Sequence, residues 1–319
     1  MMIEQINDIL HTFIYEEETT LNDFILIQKL TDIILSIPVP LNNQRYFSRM
    51  SLTKSLDYSF KFLESLDVKY ADRLHFILNN GHISIRPRKR KEFLPSNTSV
   101  VDDVKKINLI MSRTIEDSYT ITHEFFHFDN MDIQNPTINF ELMTECISIT
   151  SESLQKLWFE KQIKQPKDYH LNERDTLFAL KVKAMKLHFE LQLIYRYMKQ
   201  GKIEYEDLFE IIAKGNNIYQ LYATEDYEDT IKNGELNFQS LQRNVIGGCL
   251  SAHILDKINS DNGYMSLFKD IHDYCNQMTF VDTLRYLGLD VIDEENIILS
   301  NNSLALLRLE YSNKVKQTY

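Results

Sequence analysis

The sequence has few of the residues that interrupt regular secondary structure. Only 8 glycines and 6 prolines occur in 319 residues. Folds built from many tight turns, and glycine-rich nucleotide-binding loops, need more of both residues. The composition therefore favours a mainly helical protein, and a chain of this length can bury a large core in one or two domains.

Two further absences narrow the class of protein. The three cysteines, Cys146, Cys249 and Cys275, are odd in number and widely spaced, which is typical of reduced thiols and not of a disulfide framework. No apolar run of 18 or more residues occurs, and residues 1–8 have neither the basic nor the apolar region of a secretory signal. We therefore expect a cytoplasmic protein without a membrane span.

The chain is acidic, with 46 Asp and Glu residues against 35 Lys and Arg residues and a formal net charge of −11. This balance argues against a nucleic-acid partner. One basic run, Arg-Pro-Arg-Lys-Arg-Lys at residues 86–91, is an exception to this acidic composition. Because no other basic or aromatic cluster accompanies this run, we interpret it as a solvated strand end or loop, not as a nucleic-acid patch or targeting signal.

Apolar residues recur at helical spacing over most of the chain. This pattern predicts two amphipathic helices within residues 3–37 and a helical block over residues 51–79. It also predicts three helices nearer the end of the chain, over residues 177–198, 241–258 and 264–278.

Two segments instead alternate apolar and polar residues, at residues 82–86 and 106–111, and predict strands of a small sheet. No linker rich in Gly, Pro or Ser divides the chain. We therefore expect one domain over residues 1–319, in which residues 1–45 form an appended helical layer.

Residues 123–127, His-Glu-Phe-Phe-His, form an H-E-x-x-H motif. On a helix, His123 and His127 project from one face one turn apart, where two imidazoles can bind one Zn²⁺ at about 2.0–2.1 Å. Glu124 lies beside them, placed to take a proton from a zinc-bound water. The pattern predicts metal-assisted hydrolysis, and ordinary core or surface histidines are the competing interpretation.

A third ligand is available on the next predicted helix. Glu141, Glu145 and Glu152 share one face, and one of these carboxylates would complete a His₂Glu site with an open position. A solvated face is the competing interpretation, but much of this helix is apolar, so unpaired carboxylates would be costly there. Asp129 and Asp132 are nearer in sequence, but Asp129 leaves the helix on the wrong side.

These features together resemble the M3 family of zinc metallopeptidases, most closely its oligoendopeptidase F branch. The likeness covers roughly residues 50–292. Its specific part combines the segment leading into the H-E-x-x-H motif, the motif itself and an E-x-x-S-x-x-x-E spacing at residues 145–152. Residues 51–81 and 83–89 also carry the likeness, and the match at residues 246–252 and 284–290 is loose.

The resemblance implies roles for five residues. His123, His127 and Glu145 would be the ligands of one zinc ion per chain. Glu124 would be the general base, and Glu152 would be a carboxylate that orients a ligand histidine.

The resemblance also implies a fold and a substrate class. The fold would be mainly α, a helical zincin-type metallopeptidase with a small β-sheet beside the active-site helix. The catalytic core would span residues 50–292, with most of the family's N-terminal lobe absent. The expected function is zinc-dependent hydrolysis of short peptides as a metalloendopeptidase, and a protein partner that supplies the missing lobe is left open.

The chain departs from the family pattern at two places. Phe126 stands where the family has glycine before the second histidine. The family's tyrosines, which donate hydrogen bonds to the tetrahedral intermediate, would fall on Ser240, Gln242 and Asn244. The alternative function is therefore a weakened or inactive M3-like zinc protein that serves as a peptide-binding or regulatory module. Three tyrosines elsewhere are candidate substitutes: Tyr219, Tyr222 and Tyr227.

Overall fold

The computed structural model describes residues 2–16, 21–36, 49–89, 96–101, 104–130, 138–162, 173–214, 236–260, 266 and 277–288. Within them the chain is mainly helical with one small sheet, which confirms the predicted fold class. The helices are α1 Met2–Glu16, α2 Leu21–Ser36, α3 Leu52–Leu66, α4 Val68–Asn79, α5 Glu116–Asn130, α6 Ile138–Gln162, α7 Glu173–Gln200, α8 Tyr205–Lys214, α9 Phe238–Ser260 and α10 Phe280–Tyr286. The strands are β1 Ile83–Pro87, β2 Asn97–Val101 and β3 Val104–Met111. None of the described helices is long and apolar enough to cross a bilayer.

The sheet has three strands in the order β1-β3-β2. The central strand β3 is parallel to β1 and antiparallel to β2. The sequence pattern predicts β1 and β3, whereas β2 is a five-residue strand that it misses. Ile107 and Leu109 of β3 are buried, and α5 packs against both β3 and β2. The sheet therefore lies directly beside the helix that carries the H-E-x-x-H motif.

The predicted helical block over residues 51–79 is two helices. Asp67 is extended, with φ −164° and ψ 133°, and it ends α3 and begins α4 at the same time. Its backbone N–H donates to the carbonyl of Leu63, and its side chain accepts from the N–H of Lys69. An aspartate can satisfy the free N–H groups of a new helix in this way, which is why the chain turns here.

One buried apolar cluster joins the helices from α1 to α10 with the sheet. At its centre, α6 packs against α5 on one side and α9 on the other. Cys146 and Cys249 are buried thiols outside any disulfide in the described part of the chain, while Cys275 lies outside the described residues. The helix expected over residues 264–278 lies almost entirely outside them, and the single domain over residues 1–319 stays a prediction.

A buried carboxylate fixes the turn that leads from β3 into α5. Asp117 is 3% exposed, and its two oxygens accept the backbone N–H groups of Ser112, Arg113 and Thr114 at 2.8, 2.7 and 3.3 Å. Arg113 has a φ of 60°, a left-handed conformation that is strained for a residue with a side chain. The three hydrogen bonds offset this strain and set where α5 begins.

We predict that Asp117→Ala lowers the free energy of unfolding by about 2–4 kcal/mol, because three backbone N–H groups lose a charged acceptor in a buried turn. Urea unfolding followed by circular dichroism measures the change. Asp57→Ala is the matched control, since Asp57 is half exposed and forms an exposed ion pair with Lys61 of the same helix. Equal effects of the two substitutions would contradict the assigned role of Asp117.

Candidate metal centre

The H-E-x-x-H motif lies in the middle of α5, and its two histidines come together toward α6. The Nε2 atoms of His123 and His127 are 2.9 Å apart, and both side chains are largely buried. The rest of the helix surface is mostly apolar, with Phe125 and Phe128 in the core. The four-residue spacing therefore gives one polar edge on a helix that aromatic residues hold in place.

Phe126, the ring that replaces the family's glycine, has its own place in the core. It is 3% exposed, and its ring centroid lies 5.3 Å from that of Tyr70 in α4 and 5.2 Å from that of Phe125. Both contacts are edge-to-face, which is a favourable arrangement for aromatic rings. The ring that departs from the family pattern is thus accommodated by aromatic packing against α4.

Of the carboxylates considered from the sequence, Glu145 is the one that joins the two histidines. Its Oε2 lies 3.2 Å from Nε2 of His127, and its Oε1 lies 4.0 Å from Nε2 of His123. Glu141, one turn earlier in α6, is partly exposed and pairs with Arg243 at 3.1 Å.

The two aspartates that follow the motif are not part of this cluster as far as the structure describes them. Asp129 pairs with Arg73 at 3.3 Å, on the far side of α5. This position agrees with the expectation that Asp129 leaves the helix on the wrong side. Asp132 lies outside the described residues.

The donor atoms of His123, His127 and Glu145 fit one divalent ion. They all lie within 4.8 Å of one another, and within the described part of the chain this is the one such cluster of three. Ligands at about 2.0–2.1 Å from a tetrahedral ion lie roughly 3.3–3.4 Å apart. The two Nε2 atoms are 2.9 Å apart, and their contacts with the two oxygens of Glu145 are 3.2 and 4.0 Å long, so the observed distances lie on both sides of this value. Two imidazoles and one carboxylate are also the ligand set of many hydrolytic zinc sites.

Glu152 lies behind His123, on the side away from the shared donor cluster. Its Oε1 is 3.0 Å from Nδ1 of His123, somewhat off the line of an ideal hydrogen bond, and its Oε2 is 3.7 Å from Nζ of Lys156. A carboxylate in this position orients an imidazole and leaves Nε2 as the donor atom for a metal. The role of Glu152 as a carboxylate that orients a ligand histidine stays a prediction.

The cluster is electrostatically coupled. Burial by itself lowers the pKa of His123, but the Glu152 carboxylate and two further glutamates outweigh burial and raise the pKa to about 9. Burial likewise raises the pKa of Glu145, but the two imidazoles lower it to about 2. The pKa of Glu152 is also lowered, since the contact with His123 exceeds the effect of burial. The site therefore keeps its carboxylates ionised and favours a positive charge between them.

Lys183 of α7 is a second cation, besides Lys156, whose charge acts on these carboxylates. Its Nζ contacts Oδ1 of Asn244, and its charge interacts with Glu145 and Glu152. Burial lowers the pKa of Lys183, and the two carboxylates oppose that change. Asn244 is one of the positions where the family's tyrosines were expected, so a polar side chain does stand there.

The other two positions at which the family's tyrosines were expected are Ser240 and Gln242. Ser240 is exposed, and Gln242 is buried in α9. The three tyrosines named as candidate substitutes, Tyr219, Tyr222 and Tyr227, lie outside the described residues.

Glu124 contacts the sheet through its carboxylate. Its Oε2 lies 2.7 Å from the hydroxyl Oγ1 of Thr98 in β2, and its side chain is 6% exposed. Sequence analysis missed Thr98 because it missed the strand. The segment carries β-branched residues, Thr98, Val100 and Val101, but it is too short and too polar to show a clear alternation.

Comparison with known proteins found similarity at the level of structure. No protein-family model matches the chain, and no curated protein sequence matches it. A proposed peptidase from Chlamydophila abortus aligns with a TM-score of 0.54 and 15% identity, over 98% of this chain and 55% of that one. A proposed oligoendopeptidase F from Bacillus anthracis str. Ames aligns with a TM-score of 0.60 and 9% identity, over 95% and 59%. PZ peptidase A, in a structure with an inhibitor, aligns with a TM-score of 0.61 and 11% identity, over 92% and 59%.

These likenesses show the fold. The chain has the mainly helical architecture, with a small sheet, of oligoendopeptidase F-like structures, as the sequence resemblance implies. It spans between 55% and 59% of the length of the three chains named above.

The position of Glu145 in α6 depends on the close packing of α9 against that helix. A Cβ atom placed on Gly247 would lie 3.2 Å from the backbone nitrogen of Cys146 and 3.3 Å from Cγ of Glu145. The next residue, Gly248, faces the side chain of Leu180 in α7, whose nearest methyl carbon would lie 3.1 Å away. Gly247 therefore abuts a stiff backbone, and Gly248 abuts the end of a flexible side chain.

We predict that alanine at these two glycines has different effects. Either substitution gains roughly 1 kcal/mol of helix propensity. For Gly247→Ala, overpacking against the α6 backbone costs about 1–3 kcal/mol, so the net effect is destabilising by up to about 2 kcal/mol. Gly248→Ala is the matched control and should be neutral or stabilising by up to about 1 kcal/mol, because Leu180 can move. Urea unfolding of both variants tests this, and a stabilised Gly247→Ala would contradict the close packing of α9 on α6.

Proposed function

We propose that this chain is a zinc metalloendopeptidase of the M3 type that hydrolyses peptide bonds in short peptides. The observation that carries the proposal is the convergence of His123 and His127 from α5 with Glu145 from α6. Glu124 is the residue next to the first histidine, where a general base is needed. The resemblance of the motif and its following glutamates to the family, and the oligoendopeptidase F-like fold, support the same function.

The three clustered side chains would hold one zinc ion and leave a coordination position open. Bound zinc supplies Lewis acidity, which lowers the pKa of water toward about 7 and polarises a carbonyl group. Glu152 keeps the imidazole of His123 oriented so that Nε2 faces the other two donors. Phe125 and the neighbouring aromatic residues keep the helix fixed and exclude water from its other side.

Glu124 acts as the proton carrier. Its carboxylate accepts a proton from the attacking water as the oxygen bonds to the scissile carbonyl carbon. The same group then donates that proton to the leaving amine nitrogen when the carbon–nitrogen bond breaks. The presence of this carboxylate supports turnover, because a protein that only binds peptides has no need of a base at this position.

We predict that the wild-type chain binds one zinc ion and that Glu145→Gln weakens zinc binding more than about 100-fold, because loss of a ligand exceeds the 10- to 100-fold cost of losing a supporting residue. Competition with a chelating dye measures the affinity. Glu141→Gln is the matched control on the same helix, and it should bind zinc like the wild type, because Glu141 pairs with Arg243 instead. Unchanged zinc affinity in Glu145→Gln would remove Glu145 from the ligand set.

We predict that Glu124→Gln lowers peptide cleavage at least about 10²-fold while one zinc ion per chain stays bound, because the amide has no basic oxygen. The zinc-loaded protein is incubated with a mixed pool of short unstructured peptides, and the fragments are identified by mass spectrometry. Fragments that are produced equally by both proteins would come from a contaminant or from another base. No cleavage by a zinc-loaded wild type would instead favour the peptide-binding module.

A further inference from the structure

The contact between Thr98 and Glu124 joins the sheet to the residue proposed as general base. Oγ1 of Thr98 lies 2.7 Å from Oε2 of Glu124 and 3.1 Å from its backbone carbonyl oxygen. Thr98 stands in β2 and pairs with Ile107 of β3, so the sheet holds its backbone. A threonine side chain is also restricted at χ1, because it is β-branched. Its hydroxyl is therefore a well-defined point beside α5.

The Thr98 hydroxyl has one hydrogen atom to donate and two acceptor oxygens of Glu124 within reach. The carboxylate oxygen is the better acceptor of the two. Inside an α-helix, the carbonyl of residue 124 already accepts the N–H of residue 128. The carboxylate oxygen is nearer, and a hydrogen bond to an ionised group is shorter and stronger than one to a neutral carbonyl. The hydroxyl of Thr98 therefore donates to Oε2 of Glu124.

This hydrogen bond makes the two carboxylate oxygens of Glu124 different from each other. Among the residues that the structure describes, no group donates to Oε1 of Glu124, whereas Oε2 has Thr98. A glutamate side chain has three rotatable bonds, and one firm contact removes much of that freedom. The other oxygen, Oε1, then remains available to accept a proton.

We propose that Thr98 is a positioning residue, which orients the Glu124 carboxylate for proton transfer by donating a hydrogen bond from the sheet. This proposal rests on the proposed function, because it needs Glu124 to be the base. Positioning by a supporting hydrogen bond matters in catalysis because a small displacement of the reacting group slows the chemical step. Thr98 does not touch the three donor atoms of the metal cluster, so it should act on turnover and leave zinc binding alone.

Four single variants test the role of the hydroxyl. Thr98→Val removes the hydroxyl and keeps the β-branched shape, and Thr98→Ser keeps the hydroxyl. Ser99→Ala is the control on the opposite face of the strand, where Oγ of Ser99 accepts from Asn108 of β3 at 3.3 Å. Glu124→Ala, alone and combined with Thr98→Val, completes a double-mutant cycle for stability of the metal-free protein.

For Thr98→Val, we expect kcat on a cleaved peptide to fall about 10- to 100-fold, the effect of losing a hydrogen bond to a charged group. KM and the zinc content should stay at the wild-type values. Thr98→Ser should restore most of kcat, and Ser99→Ala should behave like the wild type. In the unfolding cycle, the shifts of the urea midpoint should be non-additive, because the two side chains interact directly.

Two results would overturn the proposal, and they differ from a failure of the proposed function. If the wild type cleaves peptides and Thr98→Val cleaves them equally fast, Thr98 does not position the base. If the midpoint shifts of Thr98→Val and Glu124→Ala simply add, the hydrogen bond itself is absent. If the wild type with bound zinc cleaves nothing, the proposed function fails first, and Thr98 then has no base to position.

Discussion

The burial of ionisable side chains between α5 and α6 is the constraint on which the rest of the structure depends. Two glutamates and two histidines meet there with their side chains largely buried, and isolated carboxylates in such a place are costly. In the protein without an ion, the surrounding carboxylates raise the pKa of His123 to about 9, and a proton on this histidine then offsets part of their negative charge. The proposed zinc ion would take the place of that proton and carry one more positive charge, so the arrangement favours a dication over a proton.

Close packing of backbones sets the distances within this cluster. On one side, Gly247 lets α9 approach the backbone of Cys146, and this approach fixes α6 where it presents Glu145. On the other side, the hydroxyl of Ser59 in α3 donates to the carbonyl of Ser118 at 2.9 Å, so α5 also has little freedom. Packed backbones resist displacement far more than surface side chains do. The donor atoms therefore lie close together because the packing of α5, α6 and α9 fixes their backbones, and not because the side chains are long.

The parts of this arrangement that follow from regular spacing could be predicted from the sequence, and the parts that follow from packing could not. The helical period places His123 and His127 on one edge, and the buried character of α6 makes its glutamates candidates for a role. The choice of Glu145 over Glu141 needed either the family resemblance or the structure, since it depends on how far α6 is rotated toward α5. The break at Asp67 and the strand β2 were missed because each depends on a few polar residues whose partners lie elsewhere in the fold.

The geometry of α5 explains why a sheet beside this helix can support Glu124. Successive residues of an α-helix diverge by about 100° around the axis. Glu124 therefore faces a different side of α5 from the adjacent His123, which faces α6. A support for Glu124 has to come from another element on a different side of α5, and β2 is that element. Under the proposed function, the histidines depend on α6 and the base depends on the sheet, so a small sheet in a mainly helical protein becomes part of the site.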